Sequence, residues 1–345
     1  MPVPITYFRS SSFNNWDLCQ HQYLLGYVLG MPQKSNKKAE KGTIFHKTME
    51  CLAQAKMAVV AGMVSFTDRQ LGMFPVDEKT LYTNAFLDRM FNAVYNHYTF
   101  PGRSIHEFSS IDKREIYRWI VHTVESCHGL FDPRKRDIVA TEPHFDLPIE
   151  EPWAEYSFEN PHGGDPIVGK LHIKGTIDLI TQVGPETYEL IDWKTGQRKD
   201  WGTGKEKDFH YLSADPQLRM YHYALHRLYP AIKQHVITIN FVRPDQGGPF
   251  TMAYGPEDME ATLTMLRSQF EKIKSCTRPS LKSATGAHWF CKKVCSYGMT
   301  PSEKDPTKTQ CQYIKQQILR KGLNNVIRDE TVKGHNVGNY ETPGE

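Results

Sequence analysis

The chain has 345 residues, 39% of them hydrophobic, which is enough to bury a proper core as one large domain or two small ones and excludes disorder of the whole. A formal charge of +3 permits a polyanionic partner without demanding one. The longest apolar stretches, such as Met57 to Val64, fall far short of the roughly 20 residues that span a bilayer, and the N-terminal Met-Pro-Val-Pro lacks a basic-then-apolar signal pattern. A soluble, cytoplasmic protein with no membrane partner is expected. Seven cysteines, an odd number without a signal segment, argue against a disulfide framework and leave metal ligation or inert burial.

Residues 1–41 read as an aromatic-rich arm that passes through a polar stretch, Gln33 to Lys41, into a helix starting near Gly42. Over 42–132 the apolar spacing is helical in three blocks, Ile44 to Val60, Thr80 to Tyr98 and Asp112 to His128, which predicts a helical insertion or cap. Over 133–275 the period changes. Ile138 to Ile149, Ile167 to Thr181 and Thr187 to Trp193 predict strands, followed by a helix from Pro216 to Leu228, strands Val236 to Val242 and Phe250 to Tyr254, and a helix from Pro256 to about Lys274. Residues 276–328 are cysteine-bearing, and 329–345 are polar and Gly/Pro-rich, as a flexible tail would be. Cys51 and Cys127 fall among apolar residues of helical blocks and are expected to be small buried hydrophobes.

The informative passage is Lys174-Gly-Thr-Ile-Asp178, a turn, and Tyr188-Glu-Leu-Ile-Asp192-Trp-Lys194. Adjacent strands joined by a tight turn can bring Asp178 and Asp192 together, and strand alternation puts Asp192 and Lys194 on one face with Trp193 on the other. Two carboxylates and an ammonium on one sheet face make poor core packing, because buried unpaired charge is costly. They make good phosphodiester chemistry: carboxylate oxygens suit hard Mg²⁺ or Mn²⁺, and a lysine can serve the attacking water and offset developing negative charge. The blander reading of Asp-x-Lys is an ordinary ion pair at a sheet surface. Just beyond, Lys194 to Lys207 carries Arg198, Lys199, Lys205 and Lys207 against Asp200 and Glu206, with Trp201 among them, as either a solvated loop or a DNA contact.

In order along the chain, Gly42-Thr-Ile-Phe-His46-Lys-Thr-Met-Glu50, Glu142, Gly175-Thr-Ile-Asp178, Asp192-Trp-Lys194 and Gln217-Leu-Arg-Met-Tyr221 together resemble the RecB-like exonuclease branch of the PD-(D/E)XK nuclease superfamily. The resemblance implies an α/β fold, a restriction-endonuclease-like core with a central mixed sheet flanked by helices, spanning 133–275 and preceded by the helical region that carries the first motif. It implies that His46, Asp178, Asp192 and the backbone carbonyl of Trp193 ligate Mg²⁺ or Mn²⁺, that Lys194 serves the attacking water, and that Gln217 and Tyr221 position the substrate strand. Glu142 sits where the family often carries an acidic residue on the first core strand.

Cys19 lies upstream of the core and Cys291, Cys295 and Cys311 downstream. This split resembles the iron–sulfur subgroup, the AddB-type and CRISPR-associated RecB-like nucleases and their phage relatives, which implies a 4Fe-4S cluster clasping 276–328 to the arm. Three and fifteen residues separate the last three cysteines, a departure from the subgroup's spacing that leaves Cys276 open as a substitute for Cys311. Zn²⁺ on four thiolates is the competing chemistry.

The function expected from the resemblance is a metal-dependent deoxyribonuclease acting as an exonuclease on DNA that is single-stranded or has free ends, in phage or prokaryotic recombination, replication or repair. The absence of a Gly-x-x-x-x-Gly-Lys-Ser/Thr segment means that any unwinding would come from a helicase or recombination partner. Two other readings stay open: a structure-specific or single-strand endonuclease on the same fold, and a non-catalytic scaffold that grips DNA ends.

Overall fold

The computed structural model describes residues 2–33, 36–160, 163–199, 204–284, 288–298 and 309–329. In chain order they form β1 (Tyr7–Phe8), α1 (Ser10–Leu18), α2 (Gln20–Tyr23), a π-helical turn Leu24–Val28, α3 (Lys37–Val60), the hairpin β2 (Ser65–Asp68) and β3 (Gly72–Pro75), α4 (Glu78–Leu81), α5 (Asn84–Thr99) and α6 (Ser110–Glu125). Then come β4 (Ile138–Thr141), β5 (His144–Pro148), β6 (Glu155–Phe158), β7 (Ile167–Lys170), β8 (His172–Thr176), β9 (Leu179–Gly184), β10 (Thr187–Lys194), α7 (Phe209–Ser213), α8 (Pro216–Leu228), β11 (Gln234–Phe241), β12 (Phe250–Tyr254), α9 (Pro256–Lys274), α10 (Trp289–Lys293), α11 (Gln310–Lys321) and α12 (Leu323–Arg328). Among the described residues no helix is long and apolar enough to cross a membrane.

The chain divides into two compact units. One comprises Asn36–Phe145 and Thr176–Met259; the other takes the described parts of Met1–Ser35, Asp146–Gly175 and Glu260–Glu345.

The first unit is built on a mixed five-stranded sheet of order β12-β11-β10-β9-β4, in which β10 and β11 run parallel and the other pairs antiparallel. Alternation along β10 sends Ile191 and Trp193 to one face, where with Leu179 they join a core made by α3, α5 and α6 through Phe45, Leu52, Met90 and Trp119. Phe45 meets the Trp193 ring edge-on at 6.4 Å between centroids. The opposite residues, Asp192 and Lys194, face α8. Each flanking helix starts on a side chain that accepts an otherwise unpaired backbone N–H: Asn36 for α3, Thr83 for α5, Ser109 in a capping box with Asp112 for α6, and Asp215 ahead of Pro216 for α8. Such caps contribute about 1 kcal/mol apiece.

In the second unit β1 pairs in parallel with β8, β6 and β7 form a hairpin, and the arm is largely helical. Leu24, Leu25, Phe290, Tyr297 and Ile314 are buried there, and Tyr297 donates its hydroxyl hydrogen to the Met31 carbonyl at 2.8 Å.

Several sequence expectations are corrected. The helix expected to start near Gly42 is α3, and it begins at Lys37 because Asn36 supplies its cap. Between the first two expected helical blocks the chain forms the β2–β3 hairpin, which the sequence reading did not assign. The third helical block stops at Glu125, and Cys127 is not a buried hydrophobe: it is exposed, in a left-handed turn with φ 50°. The strand expected from Ile138 to Ile149 is broken at Glu142, whose φ is +48°, and the one expected from Ile167 to Thr181 is three strands. Of the tail expected from 329, residues 330–345 lie outside the described residues.

Trp193 is 1% exposed and its indole N–H has no hydrogen-bond partner among the described residues. Trp193→Ala is therefore expected to cost about 3–5 kcal/mol in denaturant unfolding, whereas Trp193→Phe, which keeps the edge contact and removes the unpaired N–H, should unfold within about 2 kcal/mol of wild type.

Candidate metal and catalytic centre

Asp178 stands immediately before β9 and Asp192 near the end of β10, and the antiparallel register that pairs Leu179 with Ile191, carried one residue on, sets them opposite each other. The Trp193 backbone N–H donates to Asp178 Oδ2 at 2.7 Å, and His46 Nδ1 lies 3.3 Å from Asp178 Oδ1. Glu142 is drawn in by its backbone, whose N–H donates to the Asp178 carbonyl at 3.1 Å. Ligand atoms of His46, Glu142 and Asp178 all lie within 4.8 Å of one another.

His46 reaches this point because α3 closes on the end of β10. Gly42 is buried there, and a Cβ in its place would lie 2.9 Å from Thr195 Oγ1, just past Lys194. The glycine permits the approach, and one helical turn later His46 projects from the same face.

Asp192 is held by different partners. Its Oδ2 sits 2.7 Å from Lys194 Nζ, and its Oδ1 lies 3.1 Å from Gln217 Nε2 and 3.1 Å from the Tyr221 hydroxyl. Lys194 Nζ also donates to Gln217 Oε1 at 2.9 Å, and Gln217 Nε2 to the Tyr221 hydroxyl at 2.7 Å. The Tyr221 hydroxyl stands 3.0 Å from the Thr176 carbonyl. Gln217 and Tyr221 can share this work because they are one turn apart on α8.

The charges follow the geometry. Burial, then the Asp178 carboxylate, pushes the Glu142 carboxyl up to about 8. Burial would also raise Asp178, but the His46 charge and hydrogen bond, Lys194 and the Trp193 N–H outweigh it and hold that carboxyl below the usual range. Burial would lower Lys194, yet Asp192 and Asp178 more than compensate, so its ammonium is held above the ordinary lysine range. Burial and the Asp178 charge raise Asp192 against the pull of Lys194.

Two carboxylates and an imidazole converge in one half-buried place beside Asp192, whose Oδ2 accepts no hydrogen bond beyond its ion pair, and these donors fit a hard divalent cation. The trio differs from the ligand set expected from sequence. Glu142, expected only as an accessory, lies in it, while the Asp192 oxygens fall outside its 4.8 Å span. An open groove of about 450 Å³ leads away from His46 and Glu142, bordered by Thr43, Glu50, Tyr98 and Thr195. No motif in the sequence marked Tyr98 or Thr195 for this position.

Of the basic residues beyond β10, Arg198 is turned inward. It donates to the Gln246 carbonyl at 2.9 Å and the Lys207 carbonyl at 2.8 Å, and lies over the Phe250 ring. Lys207 Nζ is 3.7 Å from Asp215, and Lys199 and Lys205 are exposed. Asp200 and Trp201 lie outside the described residues.

In the second unit, Cys19, Cys291, Cys295 and Cys311 line one cavity. Cys276 is elsewhere, with its Sγ 4.0 Å from Gln20 Oε1. Burial, then the neighbouring thiols, raises Cys295 to about 11 and Cys311 further. No three of these sulfurs all lie within 4.8 Å of one another.

The family model described as the PD-(D/E)XK nuclease superfamily matches residues 10–300. The chain belongs to that superfamily. Among solved structures, a Eubacterium rectale protein named "Putative exonuclease" is similar at 11% identity and a TM-score of 0.43, over 80% of this chain and 84% of that one. A protein named SSO0001 is similar at 14% identity and a TM-score of 0.24, over 72% and 82% respectively. Both likenesses are too loose to add to the assignment. No curated protein matches the chain.

Because the folded Glu142 carboxyl holds its proton up to about pH 8 while an unfolded glutamate loses it near 4.3, folding takes up a proton between those values. The metal-free nuclease is thus expected to lose stability as pH rises from about 5 to about 8, with the loss smaller in Glu142→Gln. Chemical denaturation across that range in chelator checks this, and a flat wild-type profile would count against it.

Proposed function

We propose that this nuclease is a metal-dependent DNA exonuclease, and the observation that carries the proposal is the convergence of His46, Glu142 and Asp178 beside the Asp192–Lys194 pair. His46, Glu142 and Asp178, with Asp192, would hold Mg²⁺ or Mn²⁺, which when bound acidifies water and offsets charge on a phosphate. Lys194 serves the attacking water as a donor: a raised ammonium gives up a hydrogen bond, not its proton, and stabilises the charge that develops on the scissile phosphate. Gln217 fixes both ends of this pair, accepting from Lys194 and donating to Asp192, while Tyr221 braces Asp192. Lys199, Lys205 and Lys207 contact the DNA backbone, while Arg198 is taken up by the Gln246 and Lys207 carbonyls. The histidine in the first motif favours end-dependent cleavage, since the family's histidine-bearing members are typically exonucleases. A helicase or recombination partner in a phage or prokaryotic setting fits that reading.

End-labelled linear and closed circular single-stranded DNA with Mn²⁺ test this. Wild type should consume linear DNA and spare circles, and Lys194→Ala should be slower by about 10²–10⁴-fold while still folding, with some loss of stability because Asp192 loses its ion-pair partner. Cutting of circles would replace the exonuclease by an endonuclease on the same site. Binding without any metal-dependent product would replace both by a scaffold.

The four thiols lining one cavity support a 4Fe-4S cluster on Cys19, Cys291, Cys295 and Cys311. Zn²⁺ on the same four thiolates is the alternative. The cluster's part would be to hold residues distant in sequence together in the second unit. Protein purified without oxygen should contain iron and absorb visible light. Cys291→Ser should lose both and melt at lower temperature, whereas zinc in place of iron would favour the tetrahedral site.

A further inference from the structure

Where α8 packs on β11, His222 and His235 bring two buried imidazoles together. They are 2% and 4% exposed, their ring centroids are 5.8 Å apart, and neither His222 Nδ1 nor His235 Nε2 has a hydrogen-bond partner among the described residues. A buried ring nitrogen without a partner costs about 1–3 kcal/mol, and here two rings that each carry one meet at a single helix–strand contact. A third imidazole completes the group: His226 is exposed, one turn beyond His222 on α8, with its ring centroid 6.2 Å from that of His235. Tyr254 stacks on His222 from the neighbouring strand at 5.2 Å.

We infer that His222, His226 and His235 form a second metal site, specific for a borderline ion such as Zn²⁺ and separate from the carboxylate centre. Imidazole nitrogens suit zinc, whereas hard Mg²⁺ and Mn²⁺ prefer the oxygens of the carboxylate centre. Two histidines four apart on a helix present their rings on one face, and the strand histidine approaches from below. Only the active-site trio has its ligand atoms already within 4.8 Å among the described residues. The histidine site therefore closes by a swing of His226, whose exposed ring is free of the core. Burial, then the neighbouring His235, lowers the His222 imidazole to about 4, which leaves it neutral and able to ligate at neutral pH. The ion would tie α8 to β11, and α8 is the helix that carries Gln217 and Tyr221 to the catalytic carboxylate.

The test is zinc titration of the full chain carrying Asp178→Asn, which disables the carboxylate centre, against the same chain carrying Asp178→Asn with His226→Ala. His226 is exposed, so its replacement leaves folding intact. The first protein should bind one more equivalent of Zn²⁺ than the second, or bind it at least tenfold more tightly, and its melting temperature should rise on zinc addition where that of the second does not. His235→Ala should likewise lose the added equivalent. Equal zinc binding and equal melting shifts in the two proteins would overturn the site, and so would a difference that is matched by Mg²⁺.

Discussion

Mutual repulsion among Glu142, Asp178 and Asp192 is the constraint around which the catalytic unit is arranged. Like charges confined in a poorly hydrated place raise one another's pKa and drive the surrounding segments apart unless each is met by a donor. The fold supplies these donors from separate elements. His46 comes from α3, the Trp193 N–H from the backbone of β10, Lys194 from the same strand two residues on from Asp192, and Gln217 and Tyr221 from α8. Thus α3, β10 and α8, which build and cover the sheet, each also answer Asp178 or Asp192. The proton held by Glu142 removes one of the three charges from this repulsion.

The same arrangement separates two tasks along β10. The Trp193 side chain packs into the helical core, while Asp192 and Lys194 on either side of it face α8. Strand periodicity alone produces this, so packing and charge are drawn from alternate side chains of one strand, and the Trp193 backbone N–H joins the two by holding Asp178.

Much of this was legible in the sequence. The spacing from Asp178 to Lys194 sufficed to foresee a hairpin with both carboxylates together and Trp193 turned away, and the helix from Pro216 to Leu228 and the strand from Phe250 to Tyr254 emerge with the bounds the sequence suggests. The failures have physical causes. The hairpin at 65–75 is short and its residues Met73 and Ser65 give little alternation to read. The end of α6 depends on left-handed φ at Cys127 and His128, a conformation that neither residue advertises. Glu142 could be placed only as an accessory because its route into the centre is a backbone reversal between two strands, and Arg198 read as a surface cation because the carbonyls that absorb it come from residues far along the chain. Contacts made through the main chain leave no mark in a side-chain pattern.

Glu142 holds φ at +48°, a region where glycine or asparagine would sit with less strain. Selection for folding and selection for turnover therefore pull on this residue in opposite directions. A population screened for foldedness alone would drift toward glycine there and shed a carboxylate of the centre without any loss a stability screen could detect. A thermostability campaign should therefore hold this position fixed.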